Sequence, residues 1–369
     1  MASVTLGMPA VRPGADGGGT GVPSTSDRPV TDGLVDRFGR VATDLRVSLT
    51  DRCNLRCEYC MPPEGFEWLP TDQVLTDDEV IRLITVAVQR LGVHEVRFTG
   101  GEPLLRKGLE RIVAATSALR TAAGVTPETS LTTNGLGLHR RAAALAEAGL
   151  GRVNVSLDSL DREVYATLAR RDRLADVLAG VEAADAAGLR PVKLNSVLMR
   201  GVNDAEAPDL LAFALERGYE LRFIEQMPLG PRESWQRGEM VTAEEILTRL
   251  QQRFTLAATS VEERGAAPAQ LWTVLDDQGR PRGSVGVIAS VTRPFCGACD
   301  RTRLTADGQM RDCLFARTEY DLRGPLRAGA GDEEIARLWR AGMWGKRAGH
   351  GIDDPGFLQP DRPMSAIGG

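Results

Sequence analysis

An α/β fold of six successive βα units, followed by a region of different pattern, is what this chain predicts. Three observations carry it. Short β-branched or apolar runs alternate with longer stretches of helical period from residue 43 to about residue 255. Cysteines, glycines and small polar groups follow those runs, where the ligand-collecting ends of parallel strands would lie. And all six cysteines fall into two triplets, one after the first run and one in the later region.

Taken in order, residues 1–38 read as a disordered leader. They hold Gly17-Gly18-Gly19, several prolines and almost no large apolar group, so little burial offsets the entropy of ordering them. Residues 39–255 form the repeating region. Strands are expected at Asp44–Thr50, Glu95–Thr99, Ser130–Thr133, Arg152–Leu157, Val192–Met199 and Glu220–Gln226. Helices are expected at Asp77–Leu91, Leu109–Leu119, Ala142–Ala148, Leu174–Ala187, Ala207–Arg217 and Ala243–Gln252. Thr76 ahead of Asp77, Asp78 and Glu79 marks a helix start by its capping chemistry and acidic first turn. Such units imply parallel strands joined by right-handed crossovers. Periodicity leaves an open doubly wound sheet and a partial barrel equally open.

Residues 256–369 change character. Strand-like pieces at Leu271–Leu275 and Ser284–Val291 precede the second cysteine triplet, and a helix at Asp332–Leu338 follows it. The stretch Gly342–Gly369 is rich in Gly and Pro, yet Trp344, Phe357 and Met364 suggest that it packs against something.

Composition excludes several classes. A net charge of −5 provides no global field for nucleic acid, and 5% aromatic residues make poor stacking platforms for single strands. No apolar run approaches a membrane-spanning length. Any anionic ligand must be met by locally placed arginines.

Cys53, Cys57 and Cys60 form CxxxCxxC, and Cys296, Cys299 and Cys313 form the second set. Structural zinc takes four protein ligands, and the three histidines (His94, His139, His350) are distant in sequence from both triplets, although a carboxylate or a distant histidine could complete a zinc site at the second. A [4Fe–4S] cube held by three thiolates leaves one iron open to a small molecule. Disulfides are not expected, because the opening residues lack a secretory apolar run and the expected compartment is a reducing cytoplasm.

The segment Cys53-Asn54-Leu55-Arg56-Cys57-Glu58-Tyr59-Cys60, with Gly100-Gly101-Glu102-Pro103 one βα unit later, resembles the radical S-adenosylmethionine (SAM) superfamily. Residues 40–369 resemble one of its families, the GTP 3′,8-cyclases that open molybdenum cofactor biosynthesis. The stretches Leu45–Pro62, Val96–Arg106, Leu131–Leu136, Val153–Asp158, Leu221–Met227, Cys296–Arg303 and the Gly-Gly terminus carry that likeness.

The resemblance implies a partial (βα)6 radical SAM barrel with a C-terminal extension carrying a second iron–sulfur site. It implies two [4Fe–4S] clusters, on Cys53, Cys57 and Cys60 and on Cys296, Cys299 and Cys313. SAM is expected beside Tyr59, Gly101, Ser156 and Met227, with Glu102 adding negative charge near its ammonium. GTP is expected beside Arg46, Arg97, Thr132, Lys193, Arg301, Thr302 and Arg303. Arg222 is expected to serve the chemistry in the same cavity, and Gly368 and Gly369 to thread into it. The implied activity is a lyase reaction in which SAM is cleaved to a 5′-deoxyadenosyl radical that takes the C3′ hydrogen of GTP, and C3′ then bonds to C8. Implied partners are a low-potential ferredoxin- or flavodoxin-type donor and, by hand-off, cyclic pyranopterin monophosphate synthase. The resemblance also leaves room for a homodimer.

Three rival readings fit less well. Peptide-modifying radical SAM maturases carry more auxiliary cysteines than this chain has left over. Electron carriers close their clusters with four cysteines, and zinc-stabilised nucleic-acid modules want net positive charge.

Overall fold

The computed structural model describes residues 25–231, 235–260 and 264–368. Six parallel strands pair in sequence order: β1 (Asp44–Ser48), β2 (Glu95–Thr99), β3 (Glu128–Thr133), β4 (Arg152–Ser156), β5 (Lys193–Val197) and β6 (Glu220–Ile224). Each lies within two residues of its expected limits. Six further strands follow, namely β7 (Thr255–Ala258), β8 (Gln270–Leu275), β9 (Pro281–Ile288), β10 (Arg301–Leu304), β11 (Gln309–Arg311) and β12 (Tyr320–Asp321).

The later region does not stand apart. β9 pairs parallel with β6 at one edge, and β10 pairs parallel with β1 at the other. The antiparallel strands β8 and β7 extend one side, and β11 and β12 the other, giving a twelve-stranded sheet among the described residues.

Side chains alternate across a strand, and here the alternation divides chemistry from core. Leu45 and Val47, Val96 and Phe98, Leu131, Val153 and Val155, Leu194, Leu221 and Phe223 all face one way. They are buried in a single cluster with Leu83, Ile84, Ile112, Val113, Val181, Leu210 and Leu211 of the covering helices. The opposite face carries Arg46, Arg97, Thr132, Ser156, Asn195, Arg222, Arg301 and Arg303, all of which line one cavity. Residues from β1 to β6 and from β10 reach the same space, so the sheet curls around it.

Thr76 caps the helix Asp77–Arg90 as expected: its side chain accepts from the Glu79 amide, and the Glu79 carboxylate accepts from the Thr76 amide. The helix Arg162–Ala169 was not expected, being short, although Asp161 caps it by accepting from the Glu163 and Val164 amides. Leu34, inside the expected leader, is fully buried in a two-strand hairpin (Leu34–Val35 with Val41–Ala42) beside the helix Asp332–Trp344. That corrects the leader's limit: residues 25–38 have an apolar anchor, while residues 1–24 lie outside the described ones. No helix among the described residues is long and apolar enough to cross a membrane.

Candidate active site

Strand register brings the arginines together. Arg46 is level with Arg97 on one neighbouring strand and with Arg303 on the other. Adjacent strands stand roughly 4.8 Å apart, so three guanidinium groups share one row, an arrangement that is unfavourable for like charges left alone. Burial and then the charge of Arg97 push Arg46 down to about 9, and burial and then Arg46 push Arg303 down to about 9. Asp44 is the carboxylate nearest the row, 3.8 Å from Arg46 and 3.9 Å from Arg97. The Nε atoms of Arg46, Arg97, Arg222 and Arg301 are buried with no hydrogen-bond partner. Buried donors left open in this way are costly unless a ligand takes them up.

The first cysteine loop is seated by backbone. The Arg56 and Glu58 amides donate to the carbonyls of Ala169 and Leu168, the last turn of the unexpected helix. The amides of Gly101 and Glu102 donate to Thr50 and Arg52 at 2.7 and 2.8 Å. A Cβ on Gly101 would lie 2.5 Å from the Asp51 carbonyl and closer still to that of Arg52, so only glycine allows this approach. Burial raises Cys53, drives Cys57 well up and brings Cys60 to about 12. Tyr59 donates to Asp158 at 2.8 Å, and both line the cavity beside Cys60, Ser156 and Met227.

Cys296, Cys299 and Cys313 line the same cavity from the β10 side. Burial raises Cys296 and Cys313. Cys299 alone among the six goes down: burial, the largest single effect, raises it, but the charges of Arg301 and Lys346 and the hydrogen bonds from the Arg301 amide and the Lys346 ammonium together outweigh burial. All six thiols are free, and among the described residues no three His, Cys, Asp or Glu groups converge on one point for a single ion. Arg301 stacks over Phe295, its guanidinium carbon 4.8 Å from the ring centre.

The chain's end reaches the arginine row. Met364 donates to the Leu229 carbonyl at 3.0 Å, and Arg362 forms a paired ion bridge to Asp307 at 2.9 and 2.8 Å. Gly368 is buried with φ of +82°, and Arg303 donates to its carbonyl. Gly369 lies outside the described residues.

Two expected residues stand elsewhere than foreseen, and a third, Lys193, is held by an ion pair on the face that carries Arg222. Glu102 is fully buried and does not line the cavity; its carboxylate accepts from Thr133 Oγ1, the Asn134 amide and the Leu104 amide at 2.7, 2.7 and 2.9 Å. Burial brings it to about 7 against those bonds, so it braces the turn and is no open charge beside a ligand. Thr302 points to the opposite face, where Trp339 donates to its hydroxyl at 2.9 Å, because the strand period turns it away from its neighbours. Lys193 sits on the inner face below the cavity wall, bonded to Glu220 at 2.9 Å beside Arg222.

Sequence reading missed several groups. Asn195 carries a buried, unpartnered Oδ1 on the cavity wall between Lys193 and Val197, where strand alternation could have found it. Glu225 is fully buried and accepts from the Ala243, Val291 and Thr292 amides at 2.8, 2.9 and 2.9 Å, tying the ends of two strands to a helix start. No local pattern announces such a clamp.

Comparison with known proteins agrees with this arrangement. A family model described as the Radical SAM superfamily matches residues 47–214, and one described as Molybdenum Cofactor Synthesis C matches residues 219–352. A GTP 3′,8-cyclase of Corynebacterium glutamicum is 64% identical over 337 residues, covering 91% of this chain and 89% of its own length. A GTP 3′,8-cyclase of Streptomyces coelicolor is 66% identical over 336 residues, covering 91% and 96%. Among solved structures, Streptococcus suis SuiB bound to S-adenosylmethionine has a similar fold, with a TM-score of 0.56 at 14% identity over 84% of this chain and 68% of that one. The chain belongs to the GTP 3′,8-cyclase family of the radical SAM superfamily.

Proposed function

We infer that this chain converts GTP to (8S)-3′,8-cyclo-7,8-dihydroguanosine 5′-triphosphate, the first step of molybdenum cofactor biosynthesis. The observation that supports it most is the row Arg303–Arg46–Arg97, whose buried charges want a polyanion, on the wall of a cavity that members of both cysteine triplets also line. Charge-assisted bonds to phosphate are the strong kind, and guanidinium groups suit its geometry.

Cys53, Cys57 and Cys60 fit a [4Fe–4S] cluster: three free thiols on one seated loop, with Tyr59, Ser156 and Met227 left to meet SAM. When bound, the reduced cluster would supply the electron that breaks the sulfonium C–S bond of SAM to methionine and a 5′-deoxyadenosyl radical. That radical would leave as 5′-deoxyadenosine with the ribose C3′ hydrogen, C3′ would bond to C8, and one further electron from the low-potential donor with one proton would complete the 7,8-dihydro product. The curled six-strand wall is read as a partial barrel. The second triplet is read as holding a second [4Fe–4S] cluster that anchors the guanine. Arg46, Arg97 and Arg303 take the phosphates, Arg301 bridges toward the second triplet, and Arg222 with Asn195 faces them across the cavity.

Anaerobic incubation of iron-loaded protein with SAM, a strong reductant and each nucleoside triphosphate in turn tests the reading. The expected result is 5′-deoxyadenosine formed in step with GTP loss and with no other nucleotide. Turnover of ATP at the same rate, or GTP recovered intact beside 5′-deoxyadenosine, would overturn it.

Lys193 adds a pH dependence. Burial and then the charge of Arg222 bring it down to about 8, so its charge is full well below that value and is lost as pH rises through it. GTP affinity is therefore expected to fall between about pH 7 and pH 9, and a Lys193→Arg variant, permanently charged, to flatten that fall. Equilibrium dialysis across this range reads it directly; identical profiles for the two proteins would remove Lys193 from the phosphate field.

A further inference from the structure

Lys346 is buried to 3% exposure, yet among the described residues no carboxylate forms an ion pair with it. Its ammonium has two partners, the Cys299 sulfur at 3.4 Å and the Arg301 carbonyl at 2.8 Å. The buried carboxylate of Asp312 feels the charge of Lys346 without coming within ion-pair distance, so it and one carbonyl return only part of the cost of desolvating the ammonium. The arrangement becomes favourable once the sulfur it touches carries negative charge.

Its position is enforced from outside. Lys346 leaves the end of the helix Asp332–Trp344, its amide bonded to the Met343 carbonyl at 3.1 Å, where the helix field favours a cation. Arg40 grips the next two residues, donating to the carbonyls of Arg347 and Ala348 at 2.6 and 2.8 Å. The same guanidinium donates to the Cys296 carbonyl at 2.6 Å and pairs with Asp36 at 2.5 Å. One side chain thus ties the cysteine loop to the segment that bears the lysine.

We propose that Lys346 is the counter-ion of the second iron–sulfur cluster, its N–H donation to Cys299 setting that cluster's redox poise, with Arg40 as the residue that positions it. Hydrogen bonds to cluster sulfurs and net charge are what a protein uses to move such potentials. The proposal rests on the second-cluster reading above. Both lysine and arginine act through a ligand and need not touch GTP.

The test is an EPR-monitored redox titration, with dithionite as the one-electron source, of anaerobically loaded wild type, Lys346→Met and Lys346→Arg. Iron and sulfide are counted for each. Lys346→Met is expected to keep its iron and to make the second cluster at least tenfold harder to reduce, about 59 mV for one electron, with the first cluster unmoved. Lys346→Arg is expected to restore most of the shift. Loss of the second cluster's iron in Lys346→Met alone, with Lys346→Arg retaining it, equally supports a counter-ion. An unchanged potential at full iron content overturns the proposal, as does loss of both clusters in every variant, which would mark a general brace. Wild type that loads only one cluster would instead fail the reading beneath it.

Discussion

Valine in place of Gly368 is expected to lower GTP turnover by about a hundredfold or more while iron content and SAM binding stay as they are, since small displacements at a reacting centre cost this much. Two independent features make the position intolerant. Its φ of +82° is one that a β-branched residue rarely adopts. A Cβ there would press on Ser48 Oγ and lie 2.7 Å from Thr99 Cγ2, at the ends of two paired strands that cannot part. The tail would have to withdraw, taking its carbonyl off Arg303. Gly356, in the same tail but with open space around it and no positive φ, provides the control, and alanine there is expected to leave turnover within about twofold. Equal rates for Gly368→Val and wild type would show that the tail has no part in the cavity's work.

Serine at Cys296, Cys299 and Cys313 together is expected to halve the iron, from about eight to about four atoms per chain, and to abolish GTP consumption. Slow reductive cleavage of SAM should persist, because the first triplet is seated by Gly101, Glu102 and the carbonyls of Leu168 and Ala169, none of which touches the second. The reciprocal triple variant at Cys53, Cys57 and Cys60 should retain the other half of the iron and cleave no SAM. Iron analysis with 5′-deoxyadenosine measured by chromatography separates the two. Undiminished iron in the first variant would mean that the second triplet holds no cluster.

The six strands were legible because each alternates large apolar residues on one side with polar ones on the other, and the chain order of the strands is also their spatial order. The arginines were legible as strand-borne charges, and register then made three of them a row. Thr302 shows what motif proximity hides: sitting between Arg301 and Arg303 in sequence, it faces the other way in the strand. Glu102 shows the same for turns, where a carboxylate beside glycines serves the backbone around it. Lys346 and Arg40 were illegible for a different reason. Their meaning comes from contacts spanning 47 and 256 positions, which no local pattern records.

The pairing of β10 with β1 has a consequence for how far such an enzyme can be reshaped. The first cysteine loop departs from one end of β1, and the second arrives at the opposite end of that same ladder, where Arg301 lies level with Asp44. The five residues of β1 rise roughly 16 Å. On the reading proposed above, the interval between radical source and substrate anchor is therefore a gauge cut in peptide units. Replacing wall residues can repaint what the cavity recognises, one nucleotide for another, but only inserting or deleting backbone would change the span that the chemistry has to bridge.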